Sequence, residues 1–148
     1  MKSDNIFIDV KNKKIKISDF GISRKIDFES SKVCKSSEIM CISLSPPEYV
    51  EWREFGRRAD TWALGLLLYE MCTYKHPFVS ESHSKNPTKY TKEIHKSIIE
   101  NEPNYKKIPY KKTVKFIKRM LEKDDKKRPL MIELAGELDE YYNTFKQE

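Results

Sequence analysis

The segment Asp60-Thr61-Trp62-Ala63-Leu64-Gly65-Leu66-Leu67-Leu68-Tyr69-Glu70-Met71-Cys72-Thr73 would place apolar side chains on every side of a helix. A helix apolar all round belongs inside a protein, so this segment is predicted to be the central core helix. Its longest apolar run, Trp62 to Tyr69, is closed by Glu70 after 8 residues. A membrane span needs about 20, so the reading is a buried helix of a soluble protein. Lys75-His76-Pro77-Phe78 follows and is expected to end the helix, because proline cannot continue one.

Working outward, Tyr90, Ile94 and Ile98 recur at spacing four and predict an amphipathic helix to about Glu100. Val114, Ile117, Met120 and Leu121 predict another from about Lys111 to Lys123, and Leu130, Leu134, Leu138, Tyr142 and Phe145 a last one. Ser80 to Pro87 reads as polar loop. Toward the N-terminus, Gly21 to about Pro47 is serine-rich, weakly periodic and expected to be a long loop. Before it, Ile6-Phe7-Ile8 and Ile15-Lys16-Ile17 are β-branched runs, and Asp9 to Lys13 supplies turn residues between them. The predicted fold class is therefore mainly α: a small β-hairpin plus a helical bundle around one buried helix. At 148 residues a single domain is expected.

Composition narrows the function. The chain is 38% hydrophobic and 35% charged, a polar but foldable mixture. Its 4 glycines are Gly21, Gly56, Gly65 and Gly136, too far apart to cradle a phosphate on a glycine-rich turn. The 3 cysteines lack C-x-x-C spacing and the 3 histidines lack ligand spacing, so a structural metal site or disulfide framework is not predicted. Reduced cysteines suit an intracellular location, cytoplasmic or nuclear. The net charge of +6 is uneven: Asn104 to Pro129 holds 11 Lys/Arg against 3 acids. Such a block could bind nucleic acid or acidic surfaces. However, Lys112, Lys115, Lys118 and Arg119 interleave with the apolar stripe, and no aromatic side chains alternate with them to stack bases. The preferred reading is a solvated helix face, with neither a nucleic-acid nor a membrane partner.

The chemistry-bearing residues lie in the first 21 positions. Lys2-Ser3-Asp4-Asn5 precedes the first strand, and Asp19-Phe20-Gly21 follows the second. An amide oxygen and a carboxylate at the open end of one hairpin are hard donors suited to Mg²⁺. Gly21 is expected to let the chain turn sharply after the acid. Taken alone, Asp-Phe-Gly reads first as a simple turn.

The ordered set of motifs resembles the eukaryotic protein kinases: K-x-x-N, a hairpin, then D-F-G. Pro46-Pro47-Glu48 resembles the A-P-E that closes the activation segment. Asp60-Thr61-Trp62-Ala63-Leu64-Gly65 resembles the D-x-W-x-x-G opening the central helix of the C-terminal lobe, and Arg128-Pro129 the late R-P. The stretches around Leu68 to Thr73 and Lys75-His76 are most similar to the NIMA-related kinases. The resemblance implies a kinase-like C-lobe and a serine/threonine kinase that transfers the ATP γ-phosphoryl group to a protein substrate. It implies that Asn5 and Asp19 bind Mg²⁺ on the nucleotide phosphates, within a cofactor-binding set that includes Phe20 and Gly21. Lys2 would offset charge on the transferred group and mark Ser/Thr specificity. Glu48 and Arg128 would form a buried ion pair, and Asp60 would hold the catalytic-loop backbone.

Other family parts are not in the 148 residues: the glycine-rich loop, the strand lysine with its glutamate, and the His-Arg-Asp that carries the catalytic Asp. The N-lobe is thus expected to be absent. Residues 1–148 are expected to be a partial kinase domain, from the end of the catalytic loop through the last C-lobe helix. Met1 reads as an internal methionine, with His-Arg-Asp immediately before it. Such a fragment is expected to be inactive alone, and a partner is expected to cover the open face of the central helix. Met40-Cys41-Ile42-Ser43-Leu44 departs from the family's G-T-P-x-Y, which keeps a second reading open: a pseudokinase or protein-docking module without catalysis.

Overall fold

A computed structural model describes residues 2–21, 23, 34–35, 42–82 and 84–145. Met1, Met40, Cys41 and His83 lie outside them. Strands β1 (Ile6–Asp9) and β2 (Lys14–Ile17) form the hairpin, antiparallel, with Ile6 opposite Ile17 and Asp9 opposite Lys14. Asp9 organises the turn by accepting from the Asn12 backbone N–H at 3.0 Å and from Asn12 Nδ2 at 2.8 Å. These bonds, the side-chain one foremost, hold its carboxyl below the usual range. Lys13 takes the left-handed conformation (φ 52°) that brings the chain back.

The region read as a long loop holds more structure than its composition suggested. Residues β3 (Cys34–Lys35) pair antiparallel with β4 (Glu54–Phe55), and a 3₁₀ turn spans Ile42–Leu44. A short helix α1 (Pro47–Trp52) then opens with proline in its first turn, where a missing N–H costs nothing, and stops at left-handed Arg53 (φ 56°). Six residues are too few to show periodicity, which is why the pattern passed over them.

Helix α2 (Arg58–Thr73) is the predicted central helix. Trp62, Leu66 and Tyr69 join Phe78, Ile94, Ile98, Ile108, Ile117 and Leu121 in one core. Trp62 stacks on Phe78 with ring centroids 5.6 Å apart. The helix is not buried all round, however. Leu64 and Leu67 are half-buried and Met71 is 64% exposed, one helical stripe left open. It also ends before Pro77, through left-handed Tyr74 (φ 56°), whose N–H donates to the Glu70 carbonyl at 2.7 Å.

Helix α3 (Pro87–Glu100) starts on an Asn86 cap that accepts from the Lys89 N–H at 3.1 Å. Helix α4 (Lys111–Met120) crosses α2 at Gly65. A Cβ there would sit 2.8 Å from Met120 Cβ and 2.9 Å from Leu121 Cδ2, so only glycine permits the approach. The helix ends short of the expected Lys123, whose ammonium instead donates to the carbonyls of Ile98 (2.6 Å), Ile99 (3.2 Å) and Asn101 (2.5 Å). It therefore occupies the negative end of α3 and satisfies carbonyls that have no helical partner. Helix α5 (Met131–Phe145) packs mainly through Leu134; Leu138 is half-buried and Tyr142 is exposed, so the predicted stripe is used only at its start.

Two outcomes follow from this packing. Gly65→Ala forces α2 and α4 apart. After the helix-propensity gain of about 1 kcal/mol, it should still destabilise the fold by roughly 1–2 kcal/mol in urea titration. His76 accepts the Phe78 N–H at its Nδ1 (3.1 Å), and burial lowers its pKa to about 4. The Ser43 backbone, outside hydrogen-bond geometry to Nε2, offsets only part of this. The folded state therefore resists a proton that the unfolded chain accepts below about 6.5. The stability difference between wild type and His76→Phe should be constant above pH 6.5. It should then shift against the wild type, by on the order of 3 kcal/mol, as pH falls to 4.

Candidate functional site

The open end of the hairpin is built by the β1–β2 register. The pairing of Ile6 with Ile17 sets residues 5 and 18 opposite each other. The Asn5 carbonyl accepts from the Ser18 N–H at 2.9 Å and from Ser18 Oγ at 3.3 Å, and the Asn5 N–H donates to the Lys2 carbonyl at 3.1 Å. Asp19 then adopts a left-handed backbone (φ 61°), and Asn5 Nδ2 donates to Asp19 Oδ2 at 3.1 Å. The left-handed residue is thus Asp19 itself, not Gly21. A Cβ at Gly21 would lie at ordinary contact, 3.4 Å from Asp19 Oδ1. Aspartate tolerates this conformation better than most residues.

Asn5 and Asp19 are brought together, then, by two strands and one local backbone twist. Asn5 Oδ1 has no hydrogen-bond partner among the described residues. Among the described residues no third His, Cys, Asp or Glu joins them there in a metal-holding group. Two oxygen donors are too few for an all-protein cage. They are the number that Mg²⁺ takes when water and phosphate oxygens complete its shell, so the pair fits that ion. Phe20 is exposed beside them. The Lys2 ammonium lies 3.8 Å from Asp4 Oδ2, an exposed pair worth little on its own.

The second cluster lies at the start of α1 and α2. Glu48 meets Arg128 side by side: Nη1 donates to Oε1 at 2.8 Å and Nη2 to Oε2 at 2.9 Å. The guanidinium is wholly buried and Glu48 nearly so. Its other donors reach the carbonyls of Glu122 (2.9 Å, from Nε), Arg58 (3.1 Å, from Nη1) and Lys123 (3.5 Å, from Nη2). Its flat face lies 5.1 Å from the Trp62 ring. Asp60 stands exposed in the first turn of α2, where a carboxylate suits the helix dipole. Among the described residues it makes no hydrogen bond to residues 2–21.

Two partners of this cluster went unnoticed in the sequence. Arg58 Nε donates to the Arg128 carbonyl at 2.6 Å, and Thr61 Oγ1 to the Pro129 carbonyl at 2.9 Å. Both reach about seventy residues along the chain to backbone carbonyls, which no local pattern announces. An open cavity between the C-terminal ends of α2 and α3, lined by Tyr69, Phe78, Ser97, Glu100 and Asn104, contains none of the site residues expected from sequence.

Removing one partner of the buried pair strands the other charge. Glu48→Ala and Arg128→Ala are each expected to cost roughly 3–5 kcal/mol in chemical denaturation. The double variant should cost clearly less than the sum, because the pair is lost only once; additive losses would show that the contact is not formed in solution.

The protein kinase domain family matches residues 1–137. The serine/threonine-protein kinase Nek10 of Mus musculus is 31% identical over 133 residues, covering 90% of this chain and 11% of that protein. Nek5 of Mus musculus is 34% identical over 84 residues, 55% of this chain and 13% of that protein. The G2-specific protein kinase fin1 of Schizosaccharomyces pombe is 32% identical over 83 residues, 56% of this chain and 11% of that protein. The chain thus spans about a tenth of the length of these relatives.

Proposed function

The chain belongs to the protein kinase domain family, and from that membership we propose that it is the C-lobe portion of a serine/threonine kinase related to the NIMA kinases. The observation that carries the reading is the hairpin's convergence of Asn5 on Asp19 at 3.1 Å. In this proposal Asn5 and Asp19 hold Mg²⁺ and Phe20 and Gly21 complete the nucleotide side of the site. A Mg²⁺ ion bound there neutralises charge on the ATP phosphates. Lys2 stands three residues before Asn5 and offsets charge on the group being transferred to a protein hydroxyl. Glu48 and Arg128 fix α1 against the lobe, so that the segment preceding α1 ends at a set place. Among the described residues Asp60 makes no hydrogen bond to residues 2–21, so its assignment, which rests on the family resemblance, is to catalytic-loop backbone other than theirs. The open Leu64, Leu67 and Met71 stripe of α2 supports a partner that covers it.

The 148 residues hold neither a glycine-rich phosphate clamp nor a His-Arg-Asp. Phosphoryl transfer is catalysed almost wholly by positioning and charge stabilisation. The chain alone is therefore expected to give no phosphate incorporation into a basic protein substrate from radiolabelled ATP and Mg²⁺. Joined after the N-lobe and His-Arg-Asp of a NIMA-related kinase, it should give turnover that Asp19→Ala lowers by about a hundredfold or more. A folded but silent chimaera would favour the pseudokinase reading instead. Asp19-dependent turnover by the chain alone would overturn the proposed inactivity.

A further inference from the structure

Residues 104–121 contain Lys106, Lys107, Lys111, Lys112, Lys115, Lys118 and Arg119 and no Asp or Glu. All six lysines are exposed, on the 3₁₀ turn Tyr105–Lys107 and on α4. Arg119 is engaged by Glu137 of α5 through a two-point ion pair. Five of the lysines are not so matched: among the described residues no carboxylate comes within ion-pair distance of Lys106, Lys107, Lys111, Lys115 or Lys118, though Glu137 feels the charge of Lys115 from further away. Lys118 instead lies over the Tyr105 ring at 5.1 Å.

This arrangement opposes the helix that carries it. Two lysines occupy the first turn of α4, the positive end of its dipole, and the Tyr110 cap position supplies no side-chain hydrogen bond. Lys111 and Lys115 are like charges one turn apart, as are Lys115 and Lys118. Helix α3 shows the ordinary solution, pairing Lys89 with Glu93 (3.9 Å) and Lys96 with Glu100 (3.8 Å). A face that local electrostatics disfavours is the expected mark of a surface built for something outside the fold.

We infer that the face formed by Tyr105–Lys107 and α4 is a docking surface for an acidic polypeptide segment. Charge complementarity selects an anionic partner. Lysines act as point charges without the planar fork that reads base edges, and the one arginine is occupied by Glu137. Tyr105 is covered by Lys118 rather than free for base stacking. A polypeptide bearing carboxylates therefore fits better than nucleic acid. The surface is independent of the Asn5–Asp19 site and does not rest on kinase activity.

The test is binding of fluorescein-labelled octaglutamate to the full chain at low salt, followed by anisotropy. Lys111→Gln/Lys115→Gln/Lys118→Gln should weaken binding at least about tenfold. The charge-matched Lys89→Gln/Lys92→Gln/Lys96→Gln on α3 should leave it within about twofold. Circular dichroism checks each fold; if the α4 triple variant does not fold, Lys111→Gln/Lys115→Gln replaces it, with a loss of at least about threefold expected. Equal losses in the two sets would overturn the inference, since net charge alone would then explain binding. No binding by the wild type would do the same. So would tighter binding to short duplex DNA, or to vesicles containing phosphatidylserine, that is lost in the α4 variant.

Discussion

A buried guanidinium sets the constraint on which the rest of this structure depends. Arginine has five N–H donors in a fixed plane, and at Arg128 the five meet five acceptors: both oxygens of Glu48 and the carbonyls of Glu122, Arg58 and Lys123. Those acceptors belong to the first turn of α1, the first turn of α2, and the segment after α4. One side chain therefore fixes three pieces of chain, the farthest of them 80 positions from the arginine. Lysine could not substitute, since a single ammonium has three donors and no plane to lay against Trp62. The backbone around the pair returns the favour: Arg58 and Thr61 bond the carbonyls of Arg128 and Pro129, so the arginine is held from both ends.

Lys123 performs a related task nearby. Burial lowers its pKa, yet it remains placed to donate to three carbonyls at the end of α3, with its ammonium 5.1 Å from the Phe78 ring. Phe78 in turn stacks on Trp62, which faces Arg128. Two cations thus flank an aromatic pair at the centre of the lobe, each spending its hydrogen bonds on backbone that the helices leave open. This is how a chain with 35% charged residues builds a core from a modest set of apolar ones.

Much of this was legible beforehand, and the limits have physical causes. Helices α3 to α5 announce themselves by period, because each shows one face to the core; α2 does so by its unbroken apolar run, and the hairpin by two β-branched runs around turn residues. The exact ends do not. Tyr74 stops α2 ahead of the proline through a left-handed turn closed on the Glu70 carbonyl, and Arg128 binds the carbonyls of Glu122 and Lys123 after Met120. Helix α1 and the β3–β4 ladder are too short to carry a period. Asn5 and Asp19 could be placed together from hairpin geometry alone, whereas the left-handed turn at Asp19 could not, since the adjacent Gly21 seemed the natural bearer. The open stripe on α2 was hidden for the opposite reason. A uniformly apolar sequence says that a helix prefers burial, not which of its faces finds a neighbour.

The hairpin carries Phe7, Ile8, Val10, Ile15 and Ile17 with exposures from 52% to 81%. A ribbon of two strands with so little apolar cover has a small free energy of local opening, far below that of the lobe around Trp62. Amide protons of β1 and β2 therefore exchange with solvent through excursions that leave α2 and α4 intact. The Asn5–Asp19 geometry belongs to that fast-opening unit and the Glu48–Arg128 pair to the slow one. Anything laid against the ribbon that quiets its fluctuations would sharpen the placement of two oxygen donors without moving a single core residue.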